Sequence, residues 1–106
     1  MHARVMSGKV KRGSLEKLVD VLCEVVLPAA AEQHGYRGGW VLVDPSTHSG
    51  ILVTFWDTAG DLEEIERGGV LNDEMAKVNK YLDGPAIRES FDVFLDYQRH
   101  DAVTAG

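Results

Sequence analysis

Residues 36–57 read YRGGWVLVDPSTHSGILVTFWD, and the parity of side chains along this stretch decides the fold. The segment 36–44 is predicted as a strand, PSTHSG at 45–50 is turn chemistry, and 51–57 is predicted as the returning strand of a hairpin. Side chains of a strand alternate between faces. Here both sets are apolar. Ile51, Val53 and Phe55 fall on one side, and Leu52, Thr54 and Trp56 on the other. Trp40 and Leu42 likewise stand opposite Val41 and Val43. A strand buried on both faces reads as a near-continuous apolar run, whereas a sheet with one wet face alternates. Both faces of this hairpin are therefore expected to be covered.

Outward from the hairpin, residues 2–10 read as a first strand that Gly8 weakens. A first helix follows from Ser14, the expected N-cap, to about His34, with Gly35 as its stop. Leu15, Leu18, Val19, Leu22, Val26 and Ala29 give that helix one apolar face, and Pro28 predicts a kink. After the hairpin, Thr58 or Asp61 can cap a second helix. Gly68-Gly69 interrupts it, Asn72 can restart it, and Gly84-Pro85 ends it. Leu71, Met75, Val78 and Leu82 make its apolar stripe. Residues 86–97 are predicted as the last strand, with Ile87, Phe91, Val93, Leu95 and Tyr97 at period two. One domain spans 1–98, and the small polar tail 99–106 is expected to fray.

The order β-α-β-β-α-β defines an α+β, ferredoxin-like chain: an antiparallel sheet with both helices on one face. No third helix remains to cover the other face. Its cover must be a second copy of the chain or a different protein.

Composition narrows the partners. The 106 residues carry a net charge of −6. The only local basic excess is Lys9, Lys11 and Arg12, so neither nucleic acid nor an anionic membrane is expected as a partner. Cys23 is the single cysteine, which excludes an intramolecular disulfide and suits a reducing compartment. It adjoins the apolar helix face and reads as buried filler. The first residues, MHARVMSGKV, have no apolar run of the signal-peptide kind, and a cytoplasmic location is expected.

The segments VLPAAAEQHGYRGGWVLVD and GILVTFWDTAGDLEEIE resemble antibiotic-biosynthesis-monooxygenase-type (ABM-like) domains of the dimeric α+β barrel superfamily. The resemblance rests on Pro28, on Gly35-Tyr36-Arg37-Gly38 before an aliphatic strand, on Trp56 closing the third strand, and on Asp61-Leu62-Glu63. It spans roughly residues 3–97. It implies a homodimer closed through the open sheet face and a pocket between sheet and helices for a small hydrophobic or aromatic ligand. It also implies oxygenation of an electron-rich substrate with no cofactor. A non-catalytic ligand-binding or dimerisation module of the same fold is the alternative.

The haem-degrading members of that group use an Asn, a Trp and a His where this chain has Met6-Ser7, Ile65 and Met75, so haem chemistry is not expected. Trp56 matches a tryptophan of the polyketide-oxidising members, but neither Leu52 nor Thr54 supplies the Asn that accompanies it there. Trp56 reads more readily as a core or interface aromatic than as a substrate contact. The candidate ligand-binding residues are Met6, Thr54, Trp56, Asn79, Tyr81, Arg88 and Asp92; for the last four, solvent or a polar seam is the plain alternative. His2, His34, His48 and His100 have no metal-ligand spacing. Glu63, Glu64 and Glu66 read as a solvated helix face.

Overall fold

The structure, a computed structural model, describes residues 1–94. Four strands form one antiparallel sheet: β1 (His2–Lys9), β2 (Tyr36–Asp44), β3 (Ser49–Trp56) and β4 (Ile87–Asp92). Their spatial order is β2-β3-β1-β4. The helices follow β1 and β3, which gives the βαββαβ order and the ferredoxin-like α+β fold expected from the sequence.

The strand pairings align residues into rows across the sheet. Gly39, Thr54, Arg4 and Ser90 form one row, and Val41, Leu52, Met6 and Arg88 the next. Both rows face the helices, because Leu52 packs in one core cluster with helical Leu18, Leu22 and Val78. The intervening rows face away. They are Trp40, Val53, Val5 and Glu89, then Leu42, Ile51, Ser7 and Ile87. On that open face Trp40 and Ile87 are each 60% exposed, Phe91 51% and Leu42 47%. Trp40 packs edge-on against Phe55, with ring centroids 5.4 Å apart. The doubly apolar parity is thus real: one set makes the core, and the other is an apolar surface on this chain.

Strand β4 has the same polarity. Its apolar Ile87 and Phe91 lie on the open face, while Arg88, Ser90 and Asp92 lie on the helix side. It is shorter than the sequence predicts. Residues 93–94 have left the ladder, Phe94 is fully exposed, and 95–97 lie outside the described residues, as do His100 and the tail 99–106.

The first helical region differs from a single kinked helix. It comprises α1 (Leu15–Val21), a π-helical turn over Leu22–Val26, and α2 (Leu27–Ala31). Leu27 donates its N–H five residues back, to the carbonyl of Leu22. Pro28 then sits in the first turn of α2, where an N–H is not required. The wide turn accommodates the proline in place of a kink. Ser14 precedes α1, but its side chain makes no capping bond. Cys23 lies on the outer side of the π turn and is exposed, which corrects its reading as buried filler.

Two glycines of the GYRGG stretch are required by geometry. Gly35 has φ +86°, and a Cβ there would lie 2.3 Å from the Asp61 carboxylate. At Gly39 a Cβ would lie 2.9 Å from Leu27, so its absence lets α2 settle on β2.

The second helical region is also divided. In α3 (Ala59–Gly68) the Asp61 N–H donates to the Thr58 side chain at 3.0 Å. Gly69 is left-handed at φ +79°, and α4 (Val70–Asn79) starts immediately after it. Met75, Val78 and Leu82 are buried as the stripe requires, and Leu71 packs with Ala30, Trp56, Leu62 and Ile65 in a second cluster.

Candidate functional site between sheet and helices

The break between α3 and α4 swings the two helices over the rows that carry Arg4 and Met6. A cavity of about 40 Å³ lies between them. Its sheet side is Arg4, Met6, Leu52 and Thr54, with Arg88 on the β4 flank. Its helix side is Val26 and Ala30, then Leu62 and Glu66 of α3, then Leu71, Asn72 and Met75 of α4. A second cavity of about 30 Å³ continues toward Leu18, Leu22, Val78 and Leu82, and shares Met6, Leu52 and Met75 with the first. Each holds only a few waters. A ligand site typically measures roughly 300 Å³ or more. Both chambers are mainly apolar, and their common wall contains two methionines, whose unbranched side chains repack readily.

The polar groups gather in the first cavity. Arg4 is largely buried, and its guanidinium donates to the Glu66 carboxylate. The Arg4 Nε is buried and has no hydrogen-bond partner among the described residues. Glu66 is half-buried, unlike exposed Glu63 and Glu64, which corrects the reading of all three as a solvated face. Asn72 donates to the Glu66 carbonyl at 3.4 Å across the helix break. Among the described residues Glu66 is the only carboxylate lining the cavity, against two guanidinium groups, Arg4 and Arg88. The lining is therefore net positive in a chain of net charge −6.

Of the residues singled out from sequence, Met6, Thr54 and Arg88 line this cavity. Trp56 does not line it. Trp56 is completely buried behind Thr54, donates from its indole Nε1 to the Thr54 hydroxyl at 3.0 Å, and packs edge-on against Tyr36. Burial holds the Tyr36 phenol above its ordinary pKa. Asn79 is exposed at the end of α4. Tyr81 packs against the core edge, with the Lys80 ammonium 5.1 Å from its ring centroid. Asp92 is exposed and pairs with the His2 ring at 3.0 Å. Arg4, Glu66 and Asn72 were not anticipated. Arg4 shares strand parity with Met6, and that was the one signal available for it.

His34 is exposed beside Asp61, at 3.8 Å. Among the described residues no group of three or more His, Cys, Asp or Glu is arranged to hold a metal, and no helix is long and apolar enough to cross a membrane.

No known protein-family pattern matches the chain, and no curated protein matches it in sequence. Solved structures do. A variant of SnoaB, a cofactor-independent oxygenase from Streptomyces nogalater, superposes with a TM-score of 0.77 at 11% identity, covering 92% of this chain and 97% of that one. An antibiotic biosynthesis monooxygenase superposes at 0.71 with 10% identity, over 90% of this chain and 100% of the other. A conserved protein from Methanosarcina mazei superposes at 0.71 with 14% identity, over 86% and 91%. The chain thus shares its α+β fold with ABM-type proteins. At these identities the likeness concerns the fold, and activity rests on the site.

Proposed function

We propose that this protein binds a small, electron-rich aromatic molecule between sheet and helices and oxygenates it without metal or flavin, as a homodimer closed through the open sheet face. The observation that carries the reading is the composition of the first cavity: apolar walls with Arg4 and Arg88 on its sheet side. Oxygenation without a cofactor requires the substrate itself to pass an electron to oxygen. A phenolate or enolate does so far more readily than its neutral parent. A largely buried guanidinium such as that of Arg4 favours that anion, and Arg88, exposed at the cavity rim, adds a second positive charge. For a methylene substrate the balance is one O₂ consumed, one CH₂ converted to a carbonyl, and one water released.

Entry of a ring system requires Met6 and Met75 to move apart and join the two chambers. The π turn at Leu22–Val26 lies beside both, with Leu22 lining one and Val26 the other. π turns are frequent at functional sites. The dimer reading is supported by the apolar open face, on which Trp40, Leu42, Ile87 and Phe91 are all about half exposed or more. A single patch that covers itself gives a closed two-fold pair.

Oxygen consumption with anthrone and with 1,4-dihydroxynaphthalene tests the activity. Protein-dependent uptake with one O₂ per anthrone is expected; no uptake above the protein-free rate across such a panel contradicts it. Light scattering tests assembly. A mass near twice the 11.7 kDa chain is expected, and a stable monomer at micromolar concentration contradicts the pairing. The second reading, a non-catalytic binding module, is favoured by one observation: Glu66 is engaged by Arg4, so among the described residues no free base lines the cavity.

A further inference from the structure

The largely buried Arg4 carries more positive hydrogen-bonding capacity than the described residues satisfy. Its guanidinium meets one carboxylate, Glu66, while its Nε has no partner among the described residues. A buried charged donor without a partner is costly and marks a place where an acceptor belongs. A second cation, Arg88, lines the rim of the same space from an exposed position, so one carboxylate stands against two guanidinium groups. Glu66 is also the part of this arrangement able to leave. It sits in the last turn of α3, two residues before the Gly68-Gly69 break, and its side chain is 30% exposed against 17% for Arg4. Arg4, by contrast, is held in the middle of β1 between Thr54 and Ser90.

We propose that Arg4 is the receptor for an anionic oxygen on an aromatic ligand, a carboxylate or phenolate, and that this oxygen enters by exchange with Glu66. Before binding, Glu66 serves as an internal stand-in for the ligand's charge. On binding, the ligand oxygen takes the guanidinium, Glu66 turns toward solvent, and the ring occupies the apolar space bounded by Met6, Leu52 and Met75. A planar guanidinium suits the exchange because its donors form a rigid fork that matches carboxylate-type acceptors. The inference deepens the proposed function, since it rests on the same cavity being the binding site. It assigns that cavity a charge preference and a counterion that ligand must displace.

Two isosteric probes of known charge test it: 1-naphthoate and neutral 1-naphthamide, titrated by calorimetry into the full chain at constant ionic strength. The wild type is expected to bind naphthoate at least tenfold more tightly than naphthamide. Glu66→Gln removes the competing charge and is expected to tighten naphthoate at least threefold more than it tightens naphthamide. Arg4→Gln is expected to abolish the preference. If Arg4→Gln fails to fold, the Glu66→Gln result decides alone, because Glu66 lies at the cavity edge. Equal affinity for the two probes, or naphthoate binding that Glu66→Gln leaves unchanged or weakens, overturns the exchange and leaves the binding site standing. Failure of both probes to bind the wild type overturns the exchange and the binding site together.

Discussion

The pair Trp56 and Thr54 allows a quantitative prediction. Trp56 is fully buried, and its indole N–H donates to the Thr54 hydroxyl at 3.0 Å. Thr54→Val keeps shape and volume but removes the acceptor. The indole donor is then buried without a partner, at a cost of roughly 1–3 kcal/mol. For a domain of this size each kcal/mol lowers Tm by about 4–8 °C, so a fall of roughly 4–24 °C is expected. Thr54→Ser is the control. It keeps the acceptor and loses one methyl, about 1 kcal/mol. The decisive comparison repeats Thr54→Val in a Trp56→Phe background, which has no N–H to strand. There the substitution should cost less than about 0.5 kcal/mol, giving a coupling of about 1 kcal/mol or more. Thermal and urea unfolding at one fixed protomer concentration measure all five proteins, wild type and control included, because an assembly's Tm depends on concentration. An equal cost in both backgrounds, or a Thr54→Val protein as stable as the wild type, refutes the assignment of Trp56 to the core through this bond.

Gly35→Ala should destabilise the chain by more than about 1 kcal/mol, because it combines a left-handed φ of +86° with a Cβ driven into the Asp61 carboxylate; unchanged urea unfolding contradicts this. Asp44 accepts from the Ser46 hydroxyl at 2.6 Å and from the Ser46 N–H at 3.0 Å, which holds its pKa below the ordinary 3.8. The folded state thus favours the carboxylate: the benefit is full above the unfolded pKa and is lost as pH falls through the lowered folded value. Carboxyl NMR titration should show Ser46→Ala moving Asp44 back up toward 3.8, and a titration unchanged by the substitution contradicts the turn. Leu42→Glu places a charge in the open face, and light scattering should show it converting the proposed homodimer to a single chain without loss of helix content.

Strand parity carried most of the fold. Both-sided apolarity in 51–56 needed only the period-two rule, and it separated the core row of Leu52 from the exposed row of Trp40 and Leu42. Glycines at 35 and 69 marked the helix ends because left-handed backbone selects them. Less was legible where an outcome depends on two distant segments. Arg4 and Glu66 meet only once β1 lies under α3, 62 residues on, and nothing local distinguishes Glu66 from Glu63 and Glu64. Pro28 signalled a disturbance but not its form, since a π turn and a kink both relieve a missing N–H. Cys23 adjoins the apolar face of Leu22 and Val26, and the extra residue in the π turn altered the helical phase on which its burial was judged. Trp56 was marked as important for either of two reasons, and its burial behind Thr54 depends on Tyr36 and α2 closing over it.

The central claim, that the ligand site lies between sheet and helices, has a direct test in the three methionines. Met6 and Met75 line both cavities, while Met1 is exposed at the chain start. With the methionine methyls carbon-13 labelled, three signals report the whole question. Titration with 1-naphthoate should shift Met6 and Met75 by the ring current of the bound aromatic and leave Met1 in place. Saturating naphthoate that leaves Met6 and Met75 unmoved would contradict the account.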